Sequence, residues 1–478
     1  MDGFQAELLR RLPLAQAVLR GMNFALDPAT LDALFAEHRG RCYQDIFRFP
    51  QLVTLILEAL TTHQGSGHRA FVAAATNGTL PVAEQNAYGK LARIPQALSM
   101  ALLCAGSTRL REILPAGPTV ALPAALAGLR LIAFDGKKLK NAAKRLKVLR
   151  GRPGKLLGGK LLVALDVAMA LVLAFQADPD GERNDVPLVA PLVAQVRELV
   201  PEPILWLGDR QFGNLVVPPE LTARAGDHFL LRCPKSLKLA ADPQRPPVFG
   251  VDSAGRTLHE EWGWIGSASD PRRRYVRRIT LLRPGEERIL LITDLTEAAL
   301  YPAEDLLAAY VCRWGIERVF QEVTEVFQLQ RLIGTTPQAM IFQAALCFLL
   351  YDLIQVVRAY VAADGAQPRA QVSSEKLFWA VRDEVAAWQR LVMPEWAEQA
   401  LAFGAGARAA EPLPMAAWLG VVLHGSWRVT YRKSPPKRKP PPGTAGVRAK
   451  VPRGQGGHSS TWRIMQAAKA AAQVSRRS

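Results

Sequence analysis

The feature that most constrains the fold is an amphipathic stretch between residues 310 and 327. Ile316, Phe320, Val323 and Phe327 recur at intervals of four, three and four residues. At about 100° per residue, this spacing places the four side chains on one narrow stripe. The pattern predicts a helix whose apolar stripe faces a core.

Polar side chains form a second stripe on the same stretch. Tyr310, Arg313, Glu317 and Thr324 are separated by three, four and seven residues, so they also line up on the predicted helix. A glutamate one turn after an arginine is often only a surface ion pair. Here the carboxylate borders a face that is predicted to be buried, so a functional site is the alternative interpretation.

Two other stretches are apolar runs that stop on an aspartate. Residues 131–134 lead into Asp135 and Gly136, and residues 204–208 lead into Asp209. Each run predicts a buried strand that delivers a carboxylate at its end, although Asp-Gly after a strand is also a common turn. Between the two aspartates, the pattern predicts a hairpin and then a helix, with strands at 160–165 and 170–175 and the helix at 187–199.

Together these stretches resemble the DDE transposases of bacterial insertion sequences, and in particular the insertion-sequence-four family with its Tyr-x2-Arg-x3-Glu-x6-Lys signature. Tyr310, Arg313 and Glu317 match that signature in register, and Trp314 follows the arginine as it commonly does in the family. The stretch from Asp209 through Arg210 to Phe212 resembles the second-aspartate motif. The resemblance is densest over about residues 131–360.

The resemblance implies an α/β fold: a ribonuclease-H-like catalytic core interrupted by a β-rich insertion, with an N-terminal all-helical domain. It also implies that Asp135, Asp209 and Glu317 are catalytic and bind two Mg²⁺ or Mn²⁺ ions. Carboxylate oxygens suit these hard cations, and two such ions assist phosphodiester cleavage by activating the nucleophile and stabilising the leaving oxygen. The DNA-binding residues are expected to be Tyr310, Arg313, Trp314, Arg210, Lys137, Lys138 and Lys140.

Thr324 departs from the signature, which has lysine at this position. Threonine offers a short hydroxyl and no charge, so one DNA-phosphate contact is expected to be missing or to come from another residue. This departure keeps a catalytically silent DNA-binding relative open as an alternative. A metal-dependent nuclease without strand transfer is a second alternative.

The charge of the chain indicates a polyanionic partner. The net charge is +18, and residues 137–160 contain ten Lys or Arg and no acid. The five cysteines and seven histidines show neither zinc-ligand nor disulfide spacing, which fits a reducing cytoplasm. Neither apolar run, at 161–175 or at 341–360, is an uninterrupted span of about 20 apolar residues, so we expect no membrane association.

The predicted organisation has four parts: a helical DNA-binding domain (1–120), a catalytic domain (121–370) with the insertion at about 228–300, a helical segment (371–424) and a basic, disordered tail (425–478). Within the first part, residues 80–95 are a candidate recognition helix presenting Gln85, Asn86, Lys90 and Arg93. Within the insertion, Trp262 and Trp264 are candidates for stacking on a flipped base.

The sequence therefore predicts a cut-and-paste transposase. Its expected partners are the inverted repeats at the transposon ends and target DNA, bound by a homodimer in a synaptic complex. The expected location is the bacterial cytoplasm, in association with the nucleoid.

Overall fold

The computed structural model describes residues 11–43, 45–115, 122–142, 144, 146–282, 287–391, 411–428, 431–434 and 458–475. Within these residues the fold is mixed α/β, with one eleven-stranded sheet and helices packed on it. The strands are β1 (Arg130–Lys140), β2 (Leu156–Asp166), β3 (Leu171–Asp178), β4 (Ile204–Gly208), β5 (His228–Arg232), β6 (Leu239–Ala241), β7 (Val248–Val251), β8 (Thr257–Ile265), β9 (Arg274–Leu281), β10 (Ile289–Thr293) and β11 (Ser459–Ser460).

Helices account for most of the remaining described residues. They are α1 (Pro13–Ala25), α2 (Pro28–His38), α3 (Phe49–Thr61), α4 (Gly67–Thr76), α5 (Glu84–Leu91), α6 (Gln96–Glu112), α7 (Val189–Leu199), α8 (Val217–Leu221), α9 (Ala303–Cys312), α10 (Trp314–Glu325), α11 (Pro337–Asp364), α12 (Ser374–Leu391), α13 (Pro412–Val422) and α14 (Thr461–Ser475). The hairpin and the helix predicted between the two aspartates are present as β2, β3 and α7.

The sheet has the strand order β11-β2-β1-β4-β5-β10-β9-β8-β6, with β3 also paired to β2 and β7 to β8. Strand β1 runs antiparallel to β2 and parallel to β4, and β4 runs parallel to β5. Alternate residues of β1 face opposite sides, so Leu131 and Ala133 join one apolar core while Ile132 and Phe134 join the other. Burial on both faces explains why β1 and β4 are continuous apolar runs.

The long helix α11 lies at the centre of the larger core. By length and composition it could cross a membrane, yet its apolar window is completely buried within the protein. Helices α1 and α6 pack directly against it, and a Cβ added at Gly21 would lie 2.6 Å from Leu353 Cδ1. The N-terminal segment is helical as predicted, and its buried residues share one core with α11. Its role as a DNA-binding domain stays a prediction.

The candidate recognition helix is shorter than predicted, and one of its four proposed readers points inward. Lys90 in α5 is 7% exposed, and its ammonium donates to the Phe47 carbonyl between the rings of Phe35 and Phe47. Lys90 therefore cannot present its charge to DNA in this arrangement. Gln85 and Asn86 are exposed.

The predicted insertion is β-rich, but its first strand belongs to the core. Strand β5 lies beside β4, and β10 pairs with β5, so β6–β10 extend the central sheet. Trp262 is 7% exposed and its indole N–H donates to the Thr296 carbonyl at 2.9 Å. Because this side chain packs and bonds internally, its proposed stacking on a base is wrong. Trp264 is partly exposed, with the Arg273 guanidinium 4.3 Å from its ring centroid.

The prediction of a disordered tail is wrong for residues 459–475. Strand β11 pairs with Leu156 and Leu157 of β2, and α14 follows it directly. Arg463 holds the helix by binding Asp180 Oδ2 at 2.7 Å and Glu182 Oε2 at 2.8 Å. These two acids offset part of the positive charge of the tail. Residues 435–457 lie outside the described residues.

Candidate active site

The amphipathic stretch of residues 310–327 is helical, but it is two helices that meet at Arg313. The Arg313 N–H bonds to the Tyr310 carbonyl at 3.1 Å, and the Ile316 N–H bonds to the Arg313 carbonyl at 3.0 Å. This three-residue spacing tightens the turn at the junction of α9 and α10. The apolar stripe lies in the core as predicted, with Ile316, Phe320, Val323 and Phe327 all buried.

Two of the predicted acids lie at one edge of the sheet. Asp135 is on β1 and Asp209 directly follows β4, and the parallel register pairs Ala133 with Leu207. Each aspartate is two residues beyond this pair, so the strands deliver both side chains to the same place. Both line a cavity of about 570 Å³, the acidic cavity, whose charged lining is Asp135, Asp185, Asp209, Lys137, Lys138, Lys140 and Lys160.

Arg313 connects Glu317 to these aspartates. Its guanidinium binds Glu317 Oε1 at 2.9 Å and lies 3.5 Å from Asp135 Oδ2. The Arg313 side chain is only 5% exposed, whereas that of Glu317 is 41% exposed. Arg313 is therefore a buried cation that lies within ion-pair distance of Asp135 and Glu317, and its charge also acts on Asp209.

Two aspartates of the acidic cavity have raised pKa values, mainly because they are buried. Burial, followed by repulsion from Asp209, raises the pKa of Asp135 to about 7. Burial also raises the pKa of Asp209, to which Asp185 and Glu317 contribute repulsion. Arg313 opposes both shifts without cancelling them. A bound cation would relieve this repulsion.

Asp185 is a cavity residue that sequence reasoning missed. It forms a buried ion pair with Lys160 at 2.8 Å, and it packs so closely on Gly136 that a Cβ there would lie 2.6 Å from Asp185 Oδ2. In the sequence, Asp185 precedes Val186 and Pro187 and has the pattern of an ordinary residue before a helix. No local signal separates it from a helix cap.

Lys137 and Thr324 make a direct contact across the acidic cavity. The Lys137 ammonium donates to Thr324 Oγ1 at 2.7 Å and to the Phe320 carbonyl at 3.2 Å. The Thr324 hydroxyl in turn donates to the same Phe320 carbonyl at 2.6 Å. Burial, followed by repulsion from Lys140, lowers the pKa of Lys137 to about 8. Lys138 and Lys140 are exposed at the cavity rim.

The other predicted DNA-binding residues lie on the opposite side of Arg313 or near it. Tyr310 is buried and Trp314 is 55% exposed, and together with Arg313 they line a second cavity of about 450 Å³. Two more arginines, Arg232 and Arg256, line it as well. Arg210 is exposed and binds Glu287 at 2.9 Å.

The donor chemistry of the site suits a hard divalent cation, because Asp135 and Asp209 offer carboxylate oxygens in a cavity where their charges repel. In the part of the chain that the structure describes, no three His, Cys, Asp or Glu side chains converge closely enough to hold one ion. Glu317 is bonded to Arg313 instead.

Residues 127–353, which include β1, β4 and the α9–α10 junction, match the family model described as the transposase DDE domain. The chain carries a transposase DDE domain. Enzymes of this class are metal-dependent and cleave phosphodiester bonds, so the protein is an enzyme of DNA transposition.

Comparison with other proteins adds little to the assignment of the DDE domain. Among solved structures, the chain is similar to piggyBac transposase in a synaptic complex with hairpin DNA. The identity is 11%, the TM-score is 0.35, and the similarity covers 82% of this chain and 84% of that one. No curated protein matches the sequence.

Proposed function

We propose that this DDE transposase mobilises a bacterial insertion sequence of the insertion-sequence-four type by a cut-and-paste route. In this proposal it binds terminal inverted repeats as a homodimer, cleaves the strands there and transfers them to target DNA in the bacterial cytoplasm. The observation that carries the proposal is the grouping of Asp135, Asp209 and Glu317 around Arg313, from three separate stretches of sequence.

The topology around the site supports a ribonuclease-H-like core. A three-stranded antiparallel unit, β1-β2-β3, is followed by a helix and by two strands parallel to β1. The two aspartates lie at the ends of the central strands and the glutamate on a later helix. This is the chain order that the resemblance implied.

We further propose that the three acids hold two Mg²⁺ or Mn²⁺ ions, which when bound would activate the attacking oxygen and stabilise the leaving one. Asp135 and Asp209 provide oxygens from inside the acidic cavity. Glu317 is half-exposed, and it would have to exchange Arg313 for an ion. Arg313 then remains as a buried cation beside the reacting phosphate.

DNA would contact the basic residues around the cavity. Lys138 and Lys140 are exposed at its rim, and Arg210 and Trp314 are exposed on adjoining elements. Tyr310 and Arg313 are buried, so we assign them to holding the site and not to first contact with the duplex.

The decisive experiment compares Asp135→Asn, Asp209→Asn and Glu317→Gln with the wild type. With Mg²⁺ or Mn²⁺, each variant should lose at least about 100-fold in nicking of DNA that flanks the gene, because each removes one proposed ligand. Each should also bind Mn²⁺ more weakly in calorimetric titration. Glu375→Gln, at an exposed position on α12 that lines neither cavity, should retain both properties.

The results also separate the alternatives. A wild type that binds DNA but neither nicks it nor binds Mn²⁺ would support the catalytically silent relative, the alternative that the threonine at position 324 keeps open. Nicking without joining of the cut strand to a second duplex would support a nuclease. Nicking that survives Glu317→Gln would overturn the assignment of the glutamate.

A further inference from the structure

The ammonium of Lys137 lies beside Thr324, the position at which the signature has lysine. Its partners Thr324 Oγ1 and the Phe320 carbonyl are both on α10, the helix that carries Glu317. The Phe320 ring lies 5.3 Å from the ammonium and adds a cation–π contact. A cation therefore reaches this helix from β1, although α10 supplies none at position 324.

The hydrogen bonds that Lys137 donates hold its ammonium in place and leave one N–H group unused. Thr324 uses its single hydroxyl proton on the Phe320 carbonyl, so its oxygen is free to accept from Lys137. The ammonium has three N–H groups and these contacts use two of them. The third is available to a ligand in the acidic cavity, which Lys137 and Thr324 both line.

Lys137 also differs from the other lysine buried nearby. Lys160 is neutralised by Asp185 at 2.8 Å. Among the described residues, no carboxylate lies within ion-pair distance of Lys137. Its two hydrogen-bond partners are neutral oxygens, which orient the ammonium, and the negative charge of the exposed Glu325 acts on it without an ion pair between them. An anionic ligand would complete the site, and a DNA phosphate is the anion that this enzyme class brings to it.

We propose that Lys137, positioned by Thr324, is the phosphate-binding cation of the acidic cavity and takes over the contact that the signature lysine would make. Thr324 is then a positioning residue, and its departure from the signature does not leave the contact missing. The inference rests on the proposed function, because it places a DNA phosphate beside Asp135 and Asp209.

The test measures binding to a duplex from the DNA that flanks the gene, at several salt concentrations. Lys137→Gln should weaken binding about tenfold and reduce the slope against log salt by about one. Thr324→Val keeps the side-chain shape and the charge, so it should weaken binding less and leave the slope unchanged. Lys376→Gln, an exposed lysine on α12, is the matched control and should change neither.

A transplanted lysine makes the test specific. Combining Lys137→Thr with Thr324→Lys should restore the slope and most of the nicking that Lys137→Thr alone removes. Thr324→Lys in the wild-type background should add less than one phosphate contact, since its ammonium would lie against that of Lys137. Thermal unfolding of each variant confirms that it is folded.

Neutral phosphate substitutions identify the contact. A series of duplexes is prepared, each with one phosphate replaced by a neutral methylphosphonate. At one position the replacement should weaken binding by the wild type but should not further weaken binding by Lys137→Gln. No such position, or a transplanted lysine that restores nothing, would overturn the inference. Wild-type DNA binding without any nicking would count against the proposed function instead, while these binding measurements would still decide the role of Lys137.

Discussion

Gly136 shows how closely a single residue constrains the acidic cavity. A Cβ at this position would lie 2.6 Å from Asp185 Oδ2 and 2.8 Å from Oδ1, and Asp185 is buried and paired with Lys160. Asp185 cannot move away cheaply, because it would leave Lys160 without its partner. The glycine therefore allows Asp135 and Asp185 to lie on either side of the same short backbone segment.

We predict that Gly136→Ala destabilises the protein by about 1–3 kcal/mol, as overpacking of a close contact does, and reduces nicking. Gly128→Ala is the matched control, because no atom lies within 4 Å of a Cβ there. Urea unfolding measures the loss. Asp185→Ser is itself destabilising because it leaves Lys160 unpaired, so the comparison is made within that variant: adding Gly136→Ala to Asp185→Ser should cost much less than Gly136→Ala costs in the wild type. An equal cost in both backgrounds would show that the strain lies elsewhere.

At the residue level, the sequence predicts what is local. Asp135 and Asp209 were proposed because each ends an apolar run, and Arg313 and Glu317 because they share a helical stripe, but the proposal rested mainly on the resemblance of these stretches to the transposase motifs. Lys137 was expected to bind DNA only as one of many basic residues. Its contact with Thr324 joins residues 187 positions apart, and no spacing rule reaches across that distance. Asp185 was missed for the same reason.

Among the elements, β5 and β10 show how the strands beyond the core are attached to it. His228 begins β5 and Asp294 follows β10, and the imidazole Nδ1 lies 2.7 Å from Asp294 Oδ2. The other oxygen of Asp294 accepts from the Phe229 N–H at 2.8 Å. One carboxylate thus fastens the first added strand to the last strand of the core.

This contact should make stability depend on pH. The hydrogen bond to Asp294 raises the pKa of His228, so the folded state favours the charged imidazole. The stabilisation is complete below the ordinary histidine pKa of about 6.5 and is lost as the pH rises through the folded-state pKa. We expect His228→Gln to lower the free energy of unfolding by up to about 1.5 kcal/mol near pH 5.5 and by much less near pH 8.5.

Urea unfolding of His228→Gln at both pH values checks this expectation. His68→Gln, at an exposed position on α4, serves as the control. A larger loss at the higher pH would reverse the sign of the argument.

Element boundaries were less predictable than element types. The turn at Arg313 lies inside a continuous helical pattern, and the tightening comes from backbone bonds that composition does not reveal. Strand β5 was assigned to the insertion because an apolar run shows that a strand exists but not which strand it pairs with. Its place beside β4 depends on the tertiary fold.

At the scale of the whole molecule, the C-terminal region is strongly basic and yet contains a folded segment, β11 and α14. The chain has thirteen Lys or Arg and no acid after residue 424, yet α14 is held by Asp180 and Glu182. Sequence composition could not predict this, because the neutralising acids lie on a distant segment. Truncation after His424 would remove β11 and α14 together with the charges, so it would not measure the charges alone.

We therefore predict the effect of a smaller change. Replacing Lys437, Arg438 and Lys439 by glutamine should weaken binding to all duplexes alike and lower the salt slope by up to about three. Unfolding of the variant should match that of the wild type. Titrations of flanking and scrambled duplexes at several salt concentrations measure both properties. A selective loss on the flanking duplex would instead assign sequence recognition to this segment.

The packing of α1 and α6 on α11 has a consequence for engineering. A Cβ at Gly21 would meet Leu353 and one at Gly106 would meet Leu349, so the N-terminal helices and α11 fit together without spare volume. A chimera cut near residue 120, meant to give the enzyme a new DNA target, would have to carry matching small residues or a redesigned α11. Changing the DNA target of this protein therefore requires redesign of the packing between the N-terminal helices and α11, and exchange of the N-terminal segment alone is not sufficient.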